Sequence, residues 1–114
     1  MKRALRLRHP EQFRRVRNQG QRFVSPLLTL YMRIGRPHRL RCGFVVGKYL
    51  GGAVIRNRAK RRVREAVRLA LPYVETGYDL VFVVRKPEVG ELPFPQLQQL
   101  VEGLLRQAKL WRSV

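Results

Sequence analysis

Acidic residues and cysteine are scarce in this chain, and both shortages limit the chemistry that it can carry. Seven Asp and Glu stand against 25 Lys and Arg among 114 residues, so the net charge is +18. A nuclease that holds its own metal ions needs clustered carboxylates, but the basic half of the chain has only Glu11 and Glu65. The single cysteine, Cys42, excludes an internal disulfide framework and a thiolate zinc site. We therefore expect no catalytic residue and no metal site in the chain itself.

Long hydrophobic runs are also missing. The longest unbroken apolar run covers residues 80–84, whereas a membrane span needs about 20 residues. The start, MKRALRLRHP, is basic and lacks the apolar stretch of a secretory signal. We therefore expect no membrane partner and a cytoplasmic protein. Since 45% of the residues are hydrophobic, the chain can build a core. We expect one domain over residues 1–114, with residues 1–8 flexible.

The positive charge lies in one part of the chain. Residues 1–68 hold 20 Lys and Arg against two acids, whereas residues 69–114 hold five of each sign. Such a segregated charge indicates a surface that binds a polyanion, and nucleic acid is the first candidate. Arginine outnumbers lysine by 20 to five. This excess suits phosphate recognition and base stacking, although a GC-rich genome would also produce it.

Hydrophobic periodicity predicts the order of helices and strands. Helices are predicted over residues 10–20, 53–71 and 96–111, the last with Trp111 on its apolar face. Strands are predicted near residues 21–24 and over 27–34, 42–46 and 78–85, the last central in a sheet. The order α-β-β-β-α-β-α predicts an α+β two-layer sandwich with a small, mostly antiparallel sheet of about four strands. Two helices would cover one face, and Tyr31 would lie on the uncovered face.

The strongest local signal is the basic run on the helix predicted at residues 53–71. Six of the nine residues from 56 to 64 are Lys or Arg, and Glu65 is the only acid on this helix. A solvated charged helix usually mixes both signs at i, i+4 spacing, so this run indicates phosphate binding with strong salt dependence. Phe13 and Tyr31 lie between arginines and are candidates for stacking on unpaired bases, whereas Phe23 and Phe44 are candidates for the core.

Residues 52–67, GAVIRNRAKRRVREAV, resemble the signature helix of the bacterial ribonuclease P protein subunit. The flanking segments HPEQFRRV, GFVVGK and YDLVFVVRKP agree with that family. The resemblance implies a subunit that binds the catalytic ribonuclease P RNA and the single-stranded 5′ leader of precursor tRNA. Such a subunit raises the affinity for substrate and for Mg²⁺, which the RNA partner mainly holds. A monomer in a 1:1 complex with the RNA is also implied, as is a left-handed βαβ crossover, against the usual rule.

The resemblance also implies roles for individual residues. Contacts with the catalytic RNA are implied for Lys48, Arg56, Asn57, Arg58, Lys60, Arg61 and Arg64, and Arg68 extends their stripe. A leader-binding cleft is implied at Phe13 and Tyr31, with Arg17 where many relatives carry a further aromatic residue. Gly52 replaces a common Asn and weakens the expected N-cap. Arg62 replaces a common apolar residue, so we expect it either to contact a phosphate or to stay solvated.

Two other functions stay open. A structural RNA-binding protein of the ribosomal type would share the basicity and the fold type. The signature helix and the lack of a long basic tail favour the cofactor of a catalytic RNA instead. A nuclease that cleaves on its own is disfavoured, because the acids are scattered along the chain.

Overall fold

Four strands form one mixed sheet that carries helices on both faces. The computed structural model describes residues 1–112. Its strands are β1 (Gln21–Val24), β2 (Leu28–Ile34), β3 (Leu40–Val46) and β4 (Tyr78–Val84), and its helices are α1 (Pro10–Gln19), α2 (Ala53–Ala70) and α3 (Phe94–Gln107). The strand order is β1-β2-β4-β3, with β3 and β4 parallel and the other pairs antiparallel. The predicted α+β fold and element order are therefore confirmed.

Strand β4 lies between β2 and β3, as its continuous apolar run predicts. Phe82 is opposite Leu30 of β2 and Phe44 of β3, and its ring stacks on Phe44 at a centroid distance of 5.9 Å. Helices α2 and α3 bury Val63 and Leu104 against this face of the sheet. The chain passes from β3 through α2 into the parallel strand β4, so these elements form a βαβ unit. The handedness of this crossover stays a prediction.

The second face of the sheet is not open, and the prediction of an uncovered face was wrong. Helix α1 packs on it, and Val16 joins Tyr31, Val81 and Val83 in a buried cluster. Tyr31 is only 8% exposed. Strand β2 was predicted correctly, but a short amphipathic helix also needs a place to bury its apolar side. Tyr31 therefore faces α1 instead of water.

The junction between α1 and β1 depends on Gly20. This residue ends α1 and has an extended backbone, with φ at −89°. A Cβ atom here would collide with the carbonyl oxygens of Val16 and Met32. Glycine is therefore needed because the end of the helix lies directly against β2, not because a left-handed cap is required.

The last helix is shorter at its end than its periodicity predicts. Lys109 has a φ of 60°, which turns the chain out of the helix after Gln107. Leu110 then reaches the core, at 2% exposure. Trp111 was predicted on the helix, but it pairs with Val74 in an isolated β-bridge and stacks on Tyr73 at 5.3 Å.

Within residues 1–112, no helix combines the length and hydropathy that a bilayer-spanning helix would need.

Arg62 connects α2 to the segment that follows β4. Its Nη1 donates to the carbonyl of Val89 at 2.8 Å, and its Nη2 donates to the carbonyl of Leu92. These carbonyls belong to the turn between β4 and α3. Arg62 was expected either to contact phosphate or to stay solvated, but the structure gives it this structural role. A guanidinium at this helix position satisfies two loop acceptors at once.

The substitution Arg62→Ala should destabilise the fold, because it leaves two partly buried carbonyls without their donor. We expect a loss of about 1–3 kcal/mol in the free energy of unfolding, measured by urea titration. The matched control is Arg61→Ala on the same helix, where the side chain is exposed. The control should stay within about 0.5 kcal/mol of the parent chain. Equal losses in both variants would contradict the structural role of Arg62.

Candidate nucleic-acid interface

Helix α2 separates its apolar and basic side chains into two faces. Ala59, Val63 and Val67 are buried against the sheet and α3. Of the predicted contact residues, Lys48, Asn57, Arg58, Arg61 and Arg68 are exposed, and Arg56, Lys60 and Arg64 are partly buried. Lys48 lies in the 3-10 turn Lys48–Leu50, just before α2. Gly52 is the N-cap of α2 and provides no side-chain hydrogen bond, as its sequence predicts.

Most of the basic residues of α2 form no ion pair within the described residues. Arg68 pairs with Glu65 at 2.6 Å, and hydrogen bonding from Arg68 holds the pKa of Glu65 below its ordinary value. The other ion pairs in the described residues are Arg41 with Asp79 and Arg106 with Glu102. Arg58 lines a shallow pocket with Glu88 and Glu91 but forms no ion pair with either, and Arg61 has no ion pair in residues 1–112. Such charges favour a polyanionic partner.

A pocket of about 220 Å³, which we call the aromatic pocket, lies along the outer edge of β3 between α1 and α2. Its lining includes the rings of Phe13 and Phe44 and the basic side chains of Arg6, Arg8, Lys60 and Arg64. The Arg64 guanidinium lies 5.9 Å from the centroid of the Phe44 ring, a cation–π distance. The pocket combines aromatic surface with cations, which is the chemistry that single-stranded nucleic acid requires.

Gly43 of β3 allows Phe13 to occupy this position. A Cβ atom at residue 43 would collide with the Phe13 ring. The ring therefore lies directly on the strand, where it joins the cluster of Val16 and Tyr31. This close approach connects a leader-cleft candidate on α1 to the basic side chains of α2.

Three arginines, one in the N-terminal segment and two on α2, have an unmet hydrogen-bond donor. The Nε atoms of Arg6, Arg56 and Arg64 are buried and have no partner among the described residues. A buried donor without an acceptor costs about 1–3 kcal/mol. Phosphate oxygens are strong acceptors for guanidinium groups, so a bound phosphodiester would supply what these side chains lack.

Tyr31 lies beneath arginines. The guanidinium carbon of Arg17 is 5.5 Å from the centroid of the Tyr31 ring. Arg85 donates to the Tyr31 hydroxyl at 3.0 Å and to the Thr29 hydroxyl at 3.1 Å. Burial raises the pKa of Tyr31, but the charge of Arg85 and hydrogen bonding from Arg22, Arg85 and Arg17 outweigh it and lower the pKa. The guanidinium of Arg17, an exposed residue, therefore covers the ring of the buried Tyr31.

The structure brings the predicted cleft residues together and adds others. Phe13 and Tyr31 share one apolar cluster, with Arg17 above it. Arg85 was missed, although it comes directly after β4 and continues the alternation of Val81 and Val83, so it shares their face. Arg6 and Arg8 were not predicted as site residues, because residues 1–8 were expected to be flexible. The flexibility of residues 1–8 stays a prediction. In the structure, the Leu7 amide donates to the Cys42 carbonyl at 2.8 Å.

Metal-binding side chains do not come together in the described residues. No group of three or more His, Cys, Asp or Glu in residues 1–112 could hold a metal ion. Cys42 is buried, and burial, assisted by the charge of Asp79, raises the pKa of its thiol to about 12. The thiol is therefore protonated at neutral pH and is a poor nucleophile.

Comparison with known proteins gives a consistent family. The family model Ribonuclease P matches residues 1–109. The ribonuclease P protein component of Chloroflexus aurantiacus is 61% identical over 110 residues, which cover 96% of this chain and 82% of that protein. The component from Roseiflexus castenholzii is 54% identical and covers 95% of this chain and 88% of its own length.

Solved structures agree with this result. The ribonuclease P protein of Thermotoga maritima superposes with a TM-score of 0.80 at 28% identity, covering 90% of this chain and 96% of that one. The protein from Staphylococcus aureus superposes with a TM-score of 0.78 at 25% identity, covering 100% and 97%. The match extends over nearly the whole chain, and it includes the signature helix α2. On these grounds the chain belongs to the ribonuclease P protein family.

Proposed function

We propose that this chain is the RNA-binding protein subunit of ribonuclease P and assists a catalytic RNA in removing the 5′ leader from precursor tRNA. In this role α2 contacts the catalytic RNA, and the single-stranded leader is received by the aromatic pocket and by Arg17, which lies over the buried Tyr31. The chain acts as a monomer in a 1:1 complex with the RNA. The observation that carries the proposal is the position of the basic face of α2 beside Phe13, in a chain of this family.

The two parts of the surface suit two kinds of contact. The exposed Asn57, Arg58 and Arg61 project from a rigid helix, where they can pair with phosphates of a folded RNA. The aromatic pocket places Phe13 next to Lys60 and Arg64, so a base can stack while its phosphate is neutralised. An arrangement of this kind would raise the affinity for precursor tRNA more than for mature tRNA.

Magnesium belongs to the RNA partner in this proposal. The residues described here bring no carboxylate or histidine set together for such an ion. The chain would act on magnesium affinity through its positive charge and its contacts, which hold the RNA partner and the substrate together. Cleavage itself is assigned to the RNA, and the chain supplies no reacting group.

The proposal is tested by cleavage of precursor tRNA at low millimolar Mg²⁺ with a bacterial ribonuclease P RNA, with and without the chain. We expect the chain to restore cleavage at the leader junction, because it neutralises phosphate repulsion between the RNA and the substrate. The chain without RNA should give no product. Binding to the RNA without any stimulation, even with the RNA of the same organism, would instead indicate a structural RNA-binding protein. Cleavage by the chain alone, lost in a point variant, would indicate a nuclease.

The double variant Arg61→Ala and Arg64→Ala should weaken binding to the catalytic RNA and reduce cleavage by the assembled enzyme. Two lost phosphate contacts should reduce the slope of log affinity against log salt by roughly 1.4–1.8. The matched control is Lys86→Ala with Lys109→Ala, which removes the same charge from exposed positions in the acid-balanced half. A slope that changes equally in both variants would show that net charge, not α2, determines binding.

Phe13→Ala should weaken binding of precursor tRNA by about 5- to 150-fold, because base–aromatic stacking contributes about 1–3 kcal/mol. Mature tRNA has no leader, so its binding should change little. Phe13→Leu is the control for packing, since it keeps an apolar side chain against Val16 but removes the ring. It should show the same selective loss, with the unfolding transition preserved. Equal losses for precursor and mature tRNA would show that Phe13 only supports the core.

A further inference from the structure

A second basic pocket lies at the end of the sheet where the β2–β3 loop meets the start of α1. It has a volume of about 200 Å³, and Ala4 and Gln12 line part of its wall. The rest of the wall consists of cationic or titratable side chains, namely Arg6, Arg8, His9, Arg36, Arg39 and Arg41. None of these residues belongs to the signature helix or to the predicted leader cleft. We call this site the loop pocket.

Backbone contacts hold the N-terminal side of the loop pocket in place. The Leu7 amide donates to the Cys42 carbonyl at 2.8 Å, which attaches the segment to the edge of β3. Gln12 Oε1 accepts from the backbone amides of Arg8 at 3.0 Å and His9 at 3.1 Å. Arg6 and Arg8 flank the buried Leu7, so their side chains start beside the point where the segment is hydrogen-bonded to β3.

The opposite side of the loop pocket is a fixed turn. The Arg39 amide donates to the Arg36 carbonyl at 3.2 Å, and the Gly35 amide donates to the Gly77 carbonyl at 2.9 Å. His38 has a φ of 62°, a conformation that costs free energy for a residue other than glycine. This strained turn presents Arg36 and Arg39 toward the N-terminal segment.

The charge of the loop pocket is largely uncompensated. Arg41 donates through Nε and Nη2 to the Asp79 carboxylate at 3.0 and 2.9 Å, so the charge of Arg41 is compensated by Asp79. Arg6, Arg8, Arg36 and Arg39 take part in no ion pair within residues 1–112. The Nε of Arg6 is also buried without a hydrogen-bond partner. Four unpaired guanidinium groups around one pocket repel each other, and an anion would relieve that repulsion.

The loop pocket continues from the aromatic pocket. Arg6 and Arg8 line both pockets, so their guanidinium groups lie at the boundary between them. The aromatic pocket offers the rings of Phe13 and Phe44, whereas no aromatic ring other than the imidazole of His9 lines the loop pocket. A chain that stacks a base in the first pocket would therefore present its backbone to the second.

We propose that the loop pocket binds the phosphodiester backbone of a single-stranded stretch of RNA that continues out of the aromatic pocket. Guanidinium groups recognise phosphate oxygens through paired hydrogen bonds. Contacts of this kind do not depend on the bases, so binding here adds affinity without a sequence preference. The RNA is either the substrate leader or a strand of the catalytic RNA, since the phosphate chemistry is shared. The proposal deepens the function proposed above, but its first test uses the chain alone.

The first experiment measures binding of single-stranded oligouridine to the full chain over a range of salt concentrations. The variant is Arg36→Gln with Arg39→Gln, and the control is Lys86→Gln with Lys109→Gln; each removes two positive charges from exposed positions. We expect the loop variant to weaken binding and to reduce the salt slope by about 1.4, for two contacts at ~0.7 each. The control should keep the slope of the parent chain.

Oligonucleotide length supplies a second criterion. A short oligouridine that fills only the aromatic pocket should bind the loop variant and the parent chain alike, whereas a longer one should distinguish them. Equal slopes in the loop variant and the parent, or equal changes in the loop variant and the control, would overturn the proposal. Thermal unfolding of each variant verifies that the fold is intact, and a single Arg36→Gln substitution replaces the pair if it is not.

The second experiment identifies the source of the strand in the assembled enzyme. A loss of substrate affinity that grows with leader length in the loop variant assigns the pocket to the leader. A loss of affinity for the catalytic RNA itself assigns it to that RNA, and no loss in either would overturn a role in the enzyme. If the parent chain fails to stimulate cleavage but the oligouridine result is as expected, the proposed function is contradicted. RNA binding by the loop pocket is then still supported.

Discussion

The parallel pairing of β3 with β4 determines where the functional surface lies. Adjacent parallel strands cannot be joined by a hairpin, so the chain must cross the sheet between them, and α2 makes this crossing. The apolar side of α2 is buried against the sheet, which leaves its basic side outward, next to the β3 edge. Since β3 is an edge strand, the N-terminal segment can pair with its free edge, and α1 can reach it from the other face. The aromatic pocket exists because these elements meet there.

Arginine has distinct roles in this structure, and contacts decide between them. Arg41 neutralises Asp79, Arg62 satisfies two loop carbonyls, and Arg85 holds Tyr31 and Thr29. These side chains stabilise the fold and have part of their hydrogen-bonding capacity in use. Arg58 and Arg61 are exposed without an ion pair in the described residues, so they are available to a partner. The large net charge of the sequence therefore overstates the number of arginines that are free to bind phosphate.

Local periodicity predicted the elements well but not where one element packs on another. Strands β2 and β4 and the helix that begins at Ala53 were confirmed, but β2 is buried on both faces from Leu28 to Tyr31. The face of Tyr31 was predicted to be open because nothing in a strand pattern shows which helix lies across it. Trp111 was placed on α3 because helical spacing continues past Lys109, where the backbone in fact turns.

The sequence by itself determined the α+β class, the segregated positive charge and the basic helix, because these follow from composition and from the spacing of neighbours along the chain. Residues 52–67 of the sequence also showed a resemblance to a known family. Only the tertiary structure decided which basic side chains are structural and how Phe13 meets Gly43. The tertiary structure also decided that the aromatic pocket and the loop pocket lie side by side. These features join residues far apart in sequence, such as Arg62 with Val89 and Arg6 with Arg39. Their proximity depends on strand order and helix packing, which no local pattern encodes.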